Sequence, residues 1–239
     1  MNRLLCVLVL AMLPTVNDIG SAGAVKRMEA RYRSAKTLEA TFLEEYRENG
    51  RVVRTESGTA YFRRPGKMRW EYEAPENNLF IVDGKTAWFY VSGDHTVTRV
   101  PAKESTDFRA PLALLAGEMK VSRVCGRIDI AKDEKPQSNE DIVFTCVIRG
   151  SEKSRRPISS ADKVAQSSEA PDSASFEIVR NSGELVRLLV RQNGGVQVEF
   201  RFRNWLIDPP IPESMFHFQP PPGVAIVNGE LPAQDSPNK

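Results

Sequence analysis

From Val196 to Arg203 the chain alternates without a break. Val196, Val198, Phe200 and Phe202 are apolar, while Gln197, Glu199, Arg201 and Arg203 are polar. Successive side chains point to opposite faces only in an extended chain, so this pattern makes a strand with one apolar and one wet face. The same period of two runs through Leu38, Ala40, Phe42 and Tyr46. Asn49-Gly50 follows, a hairpin signal because both central residues of a type I′ turn need positive φ. Val52–Phe62 is the returning strand. Lys67–Tyr72, Leu79–Val82, Thr86–Val91 and Thr96–Val100 continue the series, punctuated by Pro75, Asp83-Gly84 and Gly93-Asp94. Val121–Ile130, Ile142–Arg149, Phe176–Val179, Leu185–Arg191 and a last short pair, Phe216–Phe218 with Val224–Val227, bring the count to about ten or eleven strands. So many twisted strands curl toward a barrel.

Two segments break the rhythm with helical features. Val25–Ser34 carries Val25, Met28, Ala30 and Tyr32 among charges. Within Phe108–Met119, Pro111 opens a short run of Leu112, Ala113, Leu114, Leu115 and Ala116, closed by Gly117. That helix lacks a polar face and must lie against something apolar. Residues 151–174 are Ser-rich, contain Pro157 and Pro171, and have no apolar period; they read as a flexible loop inserted into one domain spanning 25–228. The tail 229–239 is polar and reads as disordered.

The N-terminus reads as an export signal, residues 1–24. Arg3 precedes the apolar stretch Leu4–Leu13, and Ala22-Gly23-Ala24 fits a small-x-small cleavage site. Cys6 lies before most of the apolar run with Leu5 ahead of it, the wrong setting for a lipidated cysteine. Removal of 1–24 leaves Cys125 and Cys146, on two strands placed nearly symmetrically about Lys135-Pro136-Gln137. They form either one disulfide or two buried thiols, and export favours the disulfide. Such a bridge closes a loop of about 21 residues and contributes roughly 3 kcal/mol.

The charge balance, 33 Lys and Arg against 31 Asp and Glu, argues against a partner held by bulk electrostatics. Arg63, Arg64, Lys67 and Arg69 interleave with Tyr61, Phe62, Trp70 and Tyr72, but half-buried strands produce the same alternation, and no nucleic-acid partner is expected. Asp129, Asp133, Glu134, Glu140 and Asp141 lack the spacing of a calcium loop and read as a solvated turn. The two histidines, His95 and His217, have no local partner for catalysis, and no hydrolase, zinc or phosphate-loop motif occurs. No catalytic residue, metal or cofactor is expected. A secreted hydrolase using His217 is the rival reading from another class.

Two segments are similar to a known family: Phe62-Arg63-Arg64-Pro65-Gly66-Lys67-Met68-Arg69-Trp70 and Val82-Asp83-Gly84-Lys85-Thr86-Ala87-Trp88-Phe89-Tyr90. With Leu38-Glu39-Ala40-Thr41-Phe42, the Pro111–Leu115 run and Phe216-His217-Phe218-Gln219-Pro220-Pro221-Pro222-Gly223-Val224, they resemble the periplasmic outer-membrane lipoprotein carriers, the LolA family. The departures are the Ser-rich insertion, the cysteine pair, and Leu112-Ala113, where larger side chains are common in the family. The resemblance implies a mainly β fold, an incomplete, strongly curved antiparallel barrel of about eleven strands covered by two or three short helices acting as a lid. It implies a monomeric periplasmic carrier. Its partners would be acylated lipoproteins as cargo, an inner-membrane ABC transporter as source and an outer-membrane receptor lipoprotein as acceptor. It assigns Arg64 to a lid latch. Phe42, Phe62, Met68, Trp70, Phe89, Leu112 and Leu115 become candidates for the cavity or its rim. A lipid- or glycolipid-binding protein, or an envelope-stress sensor, on the same scaffold is the alternative.

Overall fold

The computed structural model describes residues 20–102, 110–117, 120–149 and 172–229. Most of the export signal, most of the Ser-rich insertion and nearly all of the tail lie outside them. Helix α1 spans Ser21–Tyr32, so the small-residue segment Ala22-Gly23-Ala24 forms its first turn and Ala24 is buried. The strands are β1 (Thr37–Glu48), β2 (Arg51–Arg63), β3 (Lys67–Ala74), β4 (Leu79–Val82), β5 (Thr86–Val91) and β6 (Thr96–Pro101). Short helices α2 (Ala113–Ala116) and α3 (Val121–Val124) follow. Then come β7 (Cys125–Ile130), β8 (Asp141–Ile148), β9 (Ser173–Val179), β10 (Leu185–Arg191), β11 (Val196–Ile207) and β12 (Ala225–Asn228).

All twelve strands of the described residues form one sheet in the order β12-β6-β5-β4-β3-β2-β1-β11-β10-β9-β8-β7. β7 and β12 are its edges, so the curved sheet stays open. Consecutive hairpins build both wings, and β1 joins them by pairing with β11 (Phe42 opposite Phe202, Tyr46 opposite Val198). β12 pairs parallel to β6, with Ile226 opposite Val97.

Three local expectations need correction. Val121–Ile130 is not one strand: its first four residues are α3, because Glu29 of α1 accepts the Val121 N–H at 2.8 Å and holds a turn there. Phe216–Phe218 does not pair with Val224–Val227. Glu213–Phe216 is a 3-10 turn whose buried Phe216 fills the convex side, and the final segment bonds to β6 instead. The acidic turn before β8 is not simply solvated, since Glu134 reaches Arg191 at 2.7 Å and Asp141 is buried.

The concave face holds the main core. Leu38, Ala40 and Phe42 (β1), Ala60 and Phe62 (β2), Met68 and Trp70 (β3) and Phe80 (β4) point inward from one wing. Phe144, Phe176, Leu188, Phe200 and Phe202 do so from the other. Gly58 is required where β2 bends, because a Cβ there would sit 1.9 Å from the Glu71 carbonyl oxygen. The convex face of β8–β11 is ionic: Arg187 Nε donates to buried Glu177 at 2.6 Å, and Gln137 N caps the same carboxylate from the loop before β8. The wet face expected of Glu199 is therefore covered.

Candidate functional site

The three α-helices of the described residues, α1, α2 and α3, lie over the concave face, and they are fastened differently. α1 is tied to the β9–β10 turn by four contacts: Arg27 Nη1 donates to the Arg180 carbonyl (2.5 Å), Arg31 pairs with Glu184, the Leu185 N–H donates to Tyr32 Oη (2.9 Å), and Gly183 packs against Arg27. Burial of Tyr32 pushes its phenol pKa well above the usual range. α2 is only four residues long and carries buried Leu114, Leu115 and Ala116 against β2 and β3, with buried Leu112 just ahead of it. Such a segment has no helical stability of its own; packing holds it in place.

Two polar contacts tie α2 to the sheet. Gly66 N donates to the Ala116 carbonyl at 2.7 Å. Arg64, at the end of β2, donates from Nε to the Leu115 carbonyl at 3.3 Å. The rest of its fork turns to α1: Nη2 donates to the Tyr32 carbonyl at 2.8 Å and Nη1 to the Arg33 carbonyl. A planar guanidinium suits this task, because its donors diverge in one plane toward three acceptors. Burial lowers the pKa of Arg64, and the Asp208 carboxylate partly offsets that. α3 is tied to α1 by the Glu29–Val121 bond. It runs straight into Cys125, which is bonded to Cys146 of β8 (Cα–Cα 5.5 Å) at a bulge between β7 and β8.

Below α2 the sheet presents aromatic rings. Trp70 is the hub, with ring centroids 4.9 Å from Phe42, 5.9 Å from Phe62, 5.3 Å from Phe200 and 6.2 Å from Phe202. Phe42, Phe62, Met68, Trp70, Leu112 and Leu115 are brought together here and are all buried. Phe89 stands apart on β5, half-buried, 6.5 Å from Phe80. Arg63, Lys67 and Arg69 point to the convex face, where Lys67 pairs with Glu213 and Arg69 donates to the Met215 carbonyl. His95 and His217 are both exposed. Among the described residues no three or more His, Cys, Asp and Glu side chains converge as metal ligands.

Several participants carry no mark in the sequence reading. Phe144 and Phe176 complete the apolar face beside Phe200 and Phe202, whose alternation already places them on it. Glu44 reads as a break between Phe42 and Tyr46, yet it is buried on the same face and accepts a 2.8 Å bond from Tyr72 Oη. Glu29 has no signal, because its partner Val121 offers only a backbone N–H.

Comparison with known proteins agrees with this architecture. Residues 33–145 match the family described as outer membrane lipoprotein carrier protein LolA, and residues 184–228 match one described as predicted periplasmic protein (DUF2092). An outer-membrane lipoprotein carrier protein of Nitrosomonas europaea is 29% identical over 237 residues, covering 95% of this chain and 99% of that one. Its counterpart from Chromobacterium violaceum is 28% identical, covering 87% and 89%. An uncharacterized conserved protein from Thermus thermophilus superposes with a TM-score of 0.50 at 12% identity, over 87% of this chain and 98% of that one, a likeness of fold alone. An open, strongly curved sheet, short helices over its aromatic face and relatives alike over nearly their whole length point the same way: the chain is similar to the LolA family of outer-membrane lipoprotein carrier proteins, whose model matches residues 33–145.

Proposed function

We propose that this protein is a periplasmic carrier that takes the acyl chains of lipoproteins from an inner-membrane ABC transporter and delivers them to a receptor lipoprotein at the outer membrane. It does so by binding alone, without covalent change. The observation that carries the reading is a continuous aromatic face covered by a four-residue helix whose polar ties to the sheet are the Arg64–Leu115 and Gly66–Ala116 bonds.

The energetics favour such an arrangement. A triacylated lipoprotein exposes roughly 45 methylenes, and at ~0.8 kcal/mol each their passage through water would cost on the order of 35 kcal/mol. A carrier must cover that surface and still let go of it. Leu112, Leu114 and Leu115 bury against the sheet, at about 1.5–3 kcal/mol each. An entering acyl chain replaces those side chains on the same rings. Apolar contact is exchanged for apolar contact, so net affinity is the difference of two large terms and remains reversible. Arg64 adds a directional bias toward closure.

The test is a reconstituted release assay. Inner-membrane vesicles carrying the transporter and labelled lipoprotein are energised in the presence of the mature chain. Labelled lipoprotein should leave the vesicles as a soluble complex and pass to membranes bearing the receptor. Lipoprotein that stays with the vesicles overturns the proposal, and co-purification of free lipid or glycolipid in place of acylated protein redirects it to another guest.

A further inference from the structure

The apolar face beneath α2 ends at a defined level. Along β1 the inward positions run Leu38, Ala40, Phe42 and then Glu44. Along β2 they run Phe62, Ala60, Gly58 and then Glu56, and along β3 Met68, Trp70 and then Tyr72. Glu44 lies directly opposite Glu56, and both are buried. Tyr72 Oη donates to Glu44 at 2.8 Å, Arg54 Nε pairs with Glu56 at 2.9 Å, and the Arg54 guanidinium lies 5.5 Å from the centre of the Tyr46 ring. From Phe62 to Glu56 along β2 the path is about 20 Å at ~3.4 Å per residue. On β8–β10 the concave face stays apolar to its far end, at Cys146, Ala174 and Val190. The polar boundary is therefore confined to the strands on and beside which α2 sits.

Resting on the carrier reading, we propose that Glu44, Glu56, Arg54 and Tyr72 form an end stop that sets the longest acyl chain this protein holds with full benefit. A hydrocarbon tail that enters at the α2 end gains contact with Phe62, Trp70 and Phe42 in turn. To advance further it must part Tyr72 from Glu44 or Arg54 from Glu56 and leave buried polar groups facing methylenes, an exchange with no compensating bond. Within the path each added methylene tightens binding about fourfold. Beyond the stop the gain ceases.

Saturated fatty acids of about 10 to about 20 carbons, competed against a fluorescent apolar dye on the whole mature protein, read this directly. The expected result is a fourfold gain per methylene that breaks to a plateau. In Glu44→Met/Glu56→Met the break moves to longer chains. An unbroken rise in the native protein, or a break that the double variant leaves in place, overturns the end stop. A chain ending in a hydroxyl that binds more tightly than its methyl-ended counterpart also overturns it, because the cluster would then be a polar subsite. Should the double variant fail to fold, a fatty acid spin-labelled near its methyl end decides on the native protein. Broadening centred on Gly58 and Tyr72 supports the stop, and broadening centred on Ala174 and Val190 overturns it. Failure to bind any chain length overturns the carrier reading itself, whereas binding without a break overturns only this inference.

Discussion

Replacing Arg64 by Leu removes all three guanidinium bonds, but they do not act on the same motion. Those to the Tyr32 and Arg33 carbonyls join β2 to α1, which Arg27, Arg31 and Tyr32 already anchor. The one to the Leu115 carbonyl, at 3.3 Å, ties α2 to the end of β2. A charge-assisted bond of this kind contributes about 1.5–3 kcal/mol, and partial exposure of Arg64 places this one near ~2 kcal/mol. On the proposed carrier reading closure competes with guest, so losing ~2 kcal/mol of closure raises apparent guest affinity by about 30-fold. Fluorescence titration with an acylated peptide should show that gain in Arg64→Leu, and reconstituted transfer should show acceptance of lipoprotein with failure to pass it on. Arg64→Lys supplies a point charge without the planar fork and should fall between the two. The reasoning is refuted if Arg64→Leu binds with native affinity, or if it hands lipoprotein to the receptor at the native rate.

Gly58→Ala should lose about 3 kcal/mol or more in denaturant melts, because the new Cβ meets the backbone oxygen of Glu71 at 1.9 Å; a loss under about 1 kcal/mol would show that β3 can yield. Burial, followed by the neighbouring Glu177, raises the pKa of Asp141. The folded protein therefore favours the protonated acid: this stabilisation is present below the unfolded carboxyl range and is lost as pH rises through the raised value. Asp141→Asn should then be more stable than the native chain at neutral pH, with the difference closing below about pH 4; a pH-independent difference contradicts this. Replacing Cys125 and Cys146 together by Ser should cost about 3 kcal/mol. The denatured, unreduced native protein should titrate no thiol at these positions, and two titrating thiols would exclude the bridge.

The wings of the sheet were legible because each strand alternates under local rules. Val198, Phe200 and Phe202 face inward whatever surrounds them, and Asn49-Gly50 sets the β1–β2 hairpin, with φ of 48° and 80°. The aromatic half of the site followed from the same alternation, together with the likeness of the Phe62–Trp70 segment to a known family. The failures were residues whose state depends on distant partners. Val121–Val124 has strand-like composition but turns as a helix, because a carboxylate 92 residues earlier caps it. Glu44 interrupts an apolar row and gives no hint that Tyr72 will meet it inside. Glu199 reads as solvated, and only the pairing of β10 with β11 puts Arg187 beside it.

What the amino-acid order settles alone is therefore period and punctuation: where the chain extends, where it reverses, and which face of each strand is greasy. Curvature of the sheet around those faces, the meeting of Arg64 with the Leu115 and Tyr32 carbonyls, and the burial of Glu44 and Glu56 were decided by tertiary structure. The physical reason is range. Alternation and turn conformations are properties of neighbouring residues, while the Arg64 bonds to α1 and α2 and the Tyr72–Glu44 bond form only when elements far apart in sequence bring their polar groups within hydrogen-bonding distance.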